Sequence, residues 1–165
     1  MRLKIIFTFL VVFALAAAAS AQTKISGAQT CAKADVEYSI QVGDRPNHAF
    51  VISQAKCTWT KPWEIAGIQG KEGIATGFSE ISGDTSRYRG SYVQTMANGD
   101  KVHYRYDGTA TLKDGVPQSA ELKWTLVGGT GKLKGIKGKG TNKLKAAAAD
   151  GSSTWDCEGE YELPK

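Results

Sequence analysis

From residue 35 onward, apolar and polar residues alternate over stretches of ordinary strand length, and no segment carries a sustained helical period. The alternation predicts about eight strands, over 35–42, 49–59, 72–82, 87–96, 101–113, 118–127, 135–146 and 153–163. Turn residues separate them: Gly43-Asp44-Arg45-Pro46, Ser82-Gly83-Asp84, Asn98-Gly99-Asp100, Lys113-Asp114-Gly115, Gly128-Gly129-Thr130-Gly131 and Asp150-Gly151. Asn-Gly and Asp-Gly pairs supply the positive φ angles that tight hairpins require.

The faces of these strands sort cleanly. Between Lys101 and Lys113, Val102, Tyr104, Tyr106, Gly108, Ala110 and Leu112 share one parity, and His103, Arg105, Asp107, Thr109 and Thr111 the other. In the last strand Trp155, Cys157, Gly159, Tyr161 and Leu163 oppose Asp156, Glu158, Glu160 and Glu162. Such patterning puts one face in a core and the other in water. An open sheet of this size would leave two edges and a broad apolar face, so closure is expected. Hairpin-length connections favour an all-β, antiparallel up-and-down β-barrel of about eight strands over a sandwich. Gly77, Gly90, Gly108, Gly138 and Gly140, inside strands, suit the tight coiling of a small barrel. The longest connection, 60–70, carries Pro62 and Trp63 and reads as a lid over one end or as a packed loop.

Ahead of the strands the chain has Arg2 and Lys4, an apolar run from Ile5 to Ala18, and Ala19-Ser20-Ala21. This is the pattern of a cleavable signal peptide over 1–21, cut before Gln22; a retained N-terminal anchor is the alternative. The run is shorter than the roughly 20 residues that span a bilayer, and no later stretch approaches that length. Residues 22–165 are therefore expected to form one β-barrel domain, periplasmic or secreted, with no transmembrane segment. No cysteine follows the cleavage site to carry a lipid. Loss of Arg2 and Lys4 lowers the formal net charge from +5 to +3, a weak attraction for polyanions.

Cys31, Cys57 and Cys157 would all meet an oxidising compartment, where one disulfide and one thiol is the simplest outcome. If 35–42 and 49–59 form a hairpin, Cys31 and Cys57 come together at its open end; spacing alone leaves the other pairings open. Cys157 is then either a nucleophile or an inert buried thiol. Asp156, Glu158 and Glu160 around it, and the lack of a neighbouring His, disfavour a thiolate.

The stretch Leu126-Val127-Gly128-Gly129-Thr130-Gly131-Lys132-Leu133-Lys134-Gly135-Ile136-Lys137-Gly138 resembles the hairpin of the allene oxide cyclase-like and dirigent-like barrels. In that group an apolar strand enters Gly-Gly-(Ser/Thr)-Gly, an apolar residue follows two places on, and glycines punctuate the next strand. The chain resembles bacterial exported members of unassigned function more than the plant enzymes. The resemblance implies the barrel; the plant cyclases isomerise a fatty-acid epoxide within it, and dirigent proteins orient phenoxy radicals. None of their functional residues maps onto positions here, so the resemblance implies no catalytic role.

Other constellations are mostly rejected by inspection. Gly131-Lys132 is followed by Leu133 where a phosphate-binding loop needs Ser or Thr, Lys134 stands where a dinucleotide fingerprint needs glycine, and no helix follows. His48 and His103 are isolated from ligand-spaced partners, so neither a metal, a cofactor nor a nucleophilic triad is expected. His103, Arg105 and Asp107 are the weak acid/base candidates, useful only if their face points into the lumen. Lys137, Lys139, Lys143 and Lys145 share a parity and could attract polyanions, but no aromatics interleave with them, so no specific nucleic acid is expected. The opposite faces hold Trp59, Tyr88, Tyr92, Tyr104, Tyr106, Trp124, Trp155 and Tyr161. These rings either fill a narrow barrel or line a cavity for a small apolar or aromatic molecule, for which Trp59, Tyr92, Tyr104, Tyr106, Trp124 and Trp155 are the candidate ligand-binding residues. Three functions follow: a small-molecule binder, a cofactor-free isomerase or cyclase, and a structural or self-assembling envelope protein that oligomerises.

Overall fold

The computed structural model describes residues 22–164; the predicted signal peptide over 1–21 lies outside the described residues. Ten strands succeed one another: β1 (Thr23–Cys31), β2 (Val36–Gln41), β3 (His48–Lys61), β4 (Glu64–Ile65), β5 (Ile68–Ser82), β6 (Thr85–Met96), β7 (Lys101–Lys113), β8 (Val116–Gly129), β9 (Lys137–Ala147) and β10 (Ser153–Glu162). A single 3-10 turn, Gly131–Leu133, interrupts them. Every pairing is antiparallel. The neighbours run β3-β1-β10-β9-β8-β7-β6-β5, and β5 pairs back onto β3. Eight strands thus close an up-and-down barrel, and β2 and β4 lie outside the ring.

The ring differs from expectation in one place. The stretch 35–42, expected as its first strand, is β2, which pairs with β3 alone; the wall position belongs to β1, where no strand was predicted. Residues β1 and β2 follow each other along the same side of β3, so the two act as one long strand whose first half is clasped by β10 and whose second half runs free. β1 was hard to see because its inward positions, Ile25, Gly27, Gln29 and Cys31, hold one large apolar side chain among them. The other strands begin or end within a few residues of their expected limits.

The two ends of the barrel differ. At the closed end, Ile25, Met96, Val102, Leu126, Leu133 and Ile136 are buried together with Tyr161. The segment 60–70 is a plug: β4 folds back on the start of β5 through Ala66-Gly67, both at positive φ (53° and 76°), and sinks Trp63 and Ile65 into the barrel base. Positive φ is costly for alanine; the Ala66 N–H donates to the Tyr161 hydroxyl at 2.9 Å, tying the turn to β10. The opposite end carries the turns at Gly83, Asp114-Gly115 and Gly151, all with the positive φ expected of them. No helix among the described residues is long and apolar enough to cross a membrane.

Candidate functional site

Inward glycines decide where the large rings can lie. Trp124 lies against Gly140 and Gly159, which pair with each other, and a Cβ at either would collide with its indole. Tyr106 lies over Gly77 and Gly90, also a cross-strand pair, and Tyr92 over Gly73. A strand glycine of this kind marks a close approach; here the approaching group is an aromatic side chain from within the same barrel.

The rings form a continuous cluster at the base. Trp59 and Trp63 have centroids 4.5 Å apart, Trp63 meets Trp124 edge-on at 5.5 Å, and Tyr104 meets Trp124 edge-on at 5.5 Å and Tyr92 at 5.5 Å. Offset and edge-on contacts are the favourable geometries for aromatic pairs. Gln94, fully buried, organises their polar tips: its Oε1 accepts from Trp63 Nε1 at 3.1 Å and from the Tyr104 hydroxyl at 2.7 Å, and its Nε2 reaches Met96 Sδ at 3.3 Å. Trp59 Nε1 is the buried side-chain polar atom left without a partner among the described residues.

Above this cluster the lumen widens into a cavity of about 330 Å³ that reaches the end bearing the β7–β8 and β9–β10 turns. All six aromatic residues singled out from the sequence, Trp59, Tyr92, Tyr104, Tyr106, Trp124 and Trp155, border it. Ala55, Ala75, Ala110 and Ala120 provide the small positions that leave it room, and the Cys31–Cys57 disulfide forms part of its wall. Asn142 and Gln29 add polar groups. Asn142 Oδ1 accepts from Trp124 Nε1 at 3.0 Å and Gln29 Oε1 from the Tyr92 hydroxyl at 3.1 Å. The amide nitrogens of both, and the Tyr106 hydroxyl, have no partner among the described residues. Sequence reasoning missed Gln29 and Asn142. The signal for Asn142 was its parity, shared with Leu144 and opposite to Lys143 and Lys145.

The lining carries no Asp, Glu, Lys, Arg or His among the described residues. Burial holds the Tyr92 and Tyr104 hydroxyls well above the ordinary phenol range and lifts Tyr106 to about 12, so each stays a neutral donor. Cys157 is a free, buried thiol in the core; burial and the neighbouring Asp156 raise it to about 12, and it donates weakly to the Trp155 carbonyl at 3.8 Å. A thiol so placed is a poor nucleophile.

His103, Arg105 and Asp107 lie on the outer face of β7, opposite in parity to Tyr104 and Tyr106. The lysines of β9 are exposed, and the register sets Lys137 beside Glu162, Lys139 beside Glu160 and Lys143 beside Asp156. Cross-strand partners of opposite charge account for this stripe and offset its field toward polyanions. His48 is buried at the opposite end of β3 from the plug, with Nδ1 2.5 Å from Asp44 Oδ1 and Nε2 3.0 Å from Glu80 Oε1. The bond to Asp44 raises the His48 pKa and lowers that of Asp44, so this cluster is an ion-paired clamp on the 43–47 turn, outside the cavity lining. No group of three His, Cys, Asp or Glu among the described residues could hold a metal ion.

With the barrel and its lumen described, solved structures supply the comparison. The pterocarpan synthase dirigent protein GePTS1 superposes with a TM-score of 0.53 at 14% identity, over 88% of this chain and 92% of its own. The fold is that of the dirigent-like barrels. A second dirigent barrel, the pterocarpan synthase dirigent protein PsPTS1, matches with a TM-score of 0.50 at 13% identity, over 88% of this chain and 97% of its own. A protein of unknown function from the DUF3224 family of Shewanella oneidensis MR-1 matches with a TM-score of 0.51 at 14% identity, covering 88% of this chain and 99% of its own. No family model and no curated protein matches the sequence. At these identities the likeness concerns the fold, and the dirigent-like barrel hosts more than one function.

Proposed function

We propose that this dirigent-like barrel binds a small, neutral, largely apolar or aromatic molecule in its lumen, and that it does so outside the cytoplasm. The observation that carries the reading is the composition of the cavity wall: aromatic rings, small residues, a few polar side chains such as Gln29, Asn142 and the serines, and no Asp, Glu, Lys, Arg or His among the described residues. Ligand cavities are built in this way, with a mainly apolar lining and a few polar groups that orient the guest. A volume of about 330 Å³ lies at the low end of the range for such sites. The amide nitrogens of Asn142 and Gln29 are donors, so the guest would present a carbonyl, ether or hydroxyl oxygen to them. The lining has no Asp, Glu, Lys, Arg or His among the described residues and its tyrosines are held protonated by burial, which favours binding over acid/base isomerisation, because proton transfer needs a group that titrates near the working pH. Export is supported by the Cys31–Cys57 disulfide together with the N-terminal pattern over 1–21.

The test is a titration of the purified protein with 2-naphthol, a neutral aromatic alcohol, followed by quenching of tryptophan fluorescence, beside native mass spectrometry of protein taken from its own compartment. Saturable quenching that Ala55→Phe abolishes without loss of the fold is the expected result. Quenching that stays linear, or that survives the filled cavity, would overturn the reading.

A further inference from the structure

Strand β2, outside the ring, breaks the rule that the wall strands obey. On β3 the odd residues face the lumen and the even ones face solvent. The β2 register aligns Tyr38 with Ile52 and Ile40 with Phe50, so the even residues of β2 share that outer face. Elsewhere the outer face is mainly polar, with Ile74, Phe78 and Val127 as scattered exceptions. Here it carries Val36, Tyr38, Ile40, Phe50 and Ile52, with Tyr38 and Ile40 each 69% exposed, while the polar residues Glu37, Ser39 and Gln41 take the opposite face of β2, which is exposed as well. Beyond β2 no strand follows among the described residues.

The hydrogen-bonding edge is equally open. The Val42 N–H donates to the His48 carbonyl at 2.9 Å, in line with the register that pairs Gln41 with Ala49. In an antiparallel ladder alternate residues bond to the same neighbour. The even residues of β2 therefore bond to β3, and the N–H and C=O groups of Glu37, Ser39 and Gln41 point outward from the sheet. Proteins ordinarily guard such an edge with lysine, proline or a bulge. β2 has none of these, and Glu37 is its one charge.

We propose that β2 is a dimerisation edge on which two copies of this chain pair, β2 to β2 and antiparallel, about a two-fold axis through Ser39. That register is the one that pairs all three outward residues within the strand; axes through Tyr38 or Ile40 would pair two of the three. Ser39 bonds reciprocally to Ser39 of the second copy, Glu37 bonds to Gln41 on both sides of the axis, and all three outward-pointing residues are satisfied. Tyr38 then stands opposite Ile40 in a non-hydrogen-bonded pair, the closer of the two pair types, where aromatic and β-branched side chains stabilise each other. An axis through Glu37 would instead oppose two like charges, and one through Gln41 would leave most of the edge unpaired. The same pairing continues the exposed outer face of one barrel into that of its copy, and a two-fold dimer is the commonest closed assembly.

Sedimentation velocity of the intact protein over a concentration series reads the assembly, with three substitutions to locate it. The expected result is a dimer that becomes monomeric in both Ser39→Pro, which removes the central N–H, and Ile40→Lys, which charges the outer face; circular dichroism stays unchanged, and thermal unfolding loses its dependence on protein concentration. Should Ser39→Pro fail to fold, Ile40→Lys decides alone. Ser39→Cys should form a disulfide-linked dimer in air, because hydrogen-bonded cross-strand pairs lie about 5.5 Å apart at Cα, within reach of a disulfide. A wild-type protein that stays monomeric at every soluble concentration overturns the proposal. So does a dimer or larger assembly that survives the two disrupting substitutions, or a dimer in which Ser39→Cys does not cross-link.

Discussion

At the closed end of the barrel Trp63, Trp124 and Tyr104 pack ring against ring and Gln94 takes the hydrogen bonds of two of them, whereas toward the mouth Ala110 and Ala120, with Ala55 and Ala75 at mid-height, leave room for a cavity. Both regions are made by the same strands in the same register. The difference lies in which inward positions are glycine with a ring laid over them, as at Gly140 and Gly159, and which are alanine facing small residues, as at Ala110 between Ser86 and Ala120. Stability and capacity are thereby separated along the axis: the base supplies dense packing, and the mouth gives up packing for space.

Substitutions at the two ends should differ in size and even in sign. Trp63→Ala, at the plug, should cost about 3–5 kcal/mol in urea unfolding, since a large buried ring leaves a cavity and frees a hydrogen bond of Gln94. A loss below about 1 kcal/mol would mean that the base is not the stabilising half. The disulfide lies at the seam, where β1 gives way to β2; Cys31→Ser with Cys57→Ser should lower stability by about 2–4 kcal/mol and loosen the cavity wall, which midpoint shifts and 2-naphthol quenching would register. Gly140→Ala should cost about 1–3 kcal/mol, because the new Cβ meets both Glu158 backbone and the Trp124 ring. Ala55→Phe adds far more volume, yet it projects into the cavity, where it should be neutral or gain about 1 kcal/mol while ending ligand uptake. If both additions prove equally destabilising, the cavity is less open than its outline.

The smallest effect is expected at the 43–47 turn, where pH should tune order and leave the core alone. The raised pKa of His48 contributes stability below the ordinary imidazole value and loses it as pH rises through the raised one. The lowered pKa of Asp44 contributes above the ordinary carboxylate value and loses it as pH falls through the lowered one. The clamp is therefore whole between roughly pH 4 and 6.5 and weakens on either side. Hydrogen exchange of the Val42 and Gly83 amides, which bond to His48 and Asn47, should be slowest in that window once corrected for intrinsic rates, and His48→Gln should flatten the dependence.

Much of the fold was legible because β patterning is local. Alternation along 101–113 and 153–163 sorted Tyr104, Tyr106, Trp155 and Cys157 from the polar face, and Asp114-Gly115 turns with both φ angles positive, as its composition requires. β1 escaped notice because small and polar residues hold its inward positions; Gln29, one of the groups that gives the cavity its polarity, was lost with it. The plug was ambiguous for a different reason. Pro62 and Trp63 announce an irregular connection, but whether a tryptophan covers a barrel or enters it depends on what lies opposite, and Gln94 and Trp124 are distant in sequence.

The sequence by itself determined the all-β class, the strand faces, the hairpin turns and the aromatic set, since each depends on neighbours one or two residues away. The tertiary structure alone decided ring membership, the division of the lumen into a packed base and a cavity, the outward placement of His103, Arg105 and Asp107, and the open edge of β2. Those outcomes depend on which strand lies beside which and on how far two strands remain paired. β10 begins opposite Cys31, so the chain that follows β1 has no neighbour on one side, and nothing within the residues 36–41 records that fact.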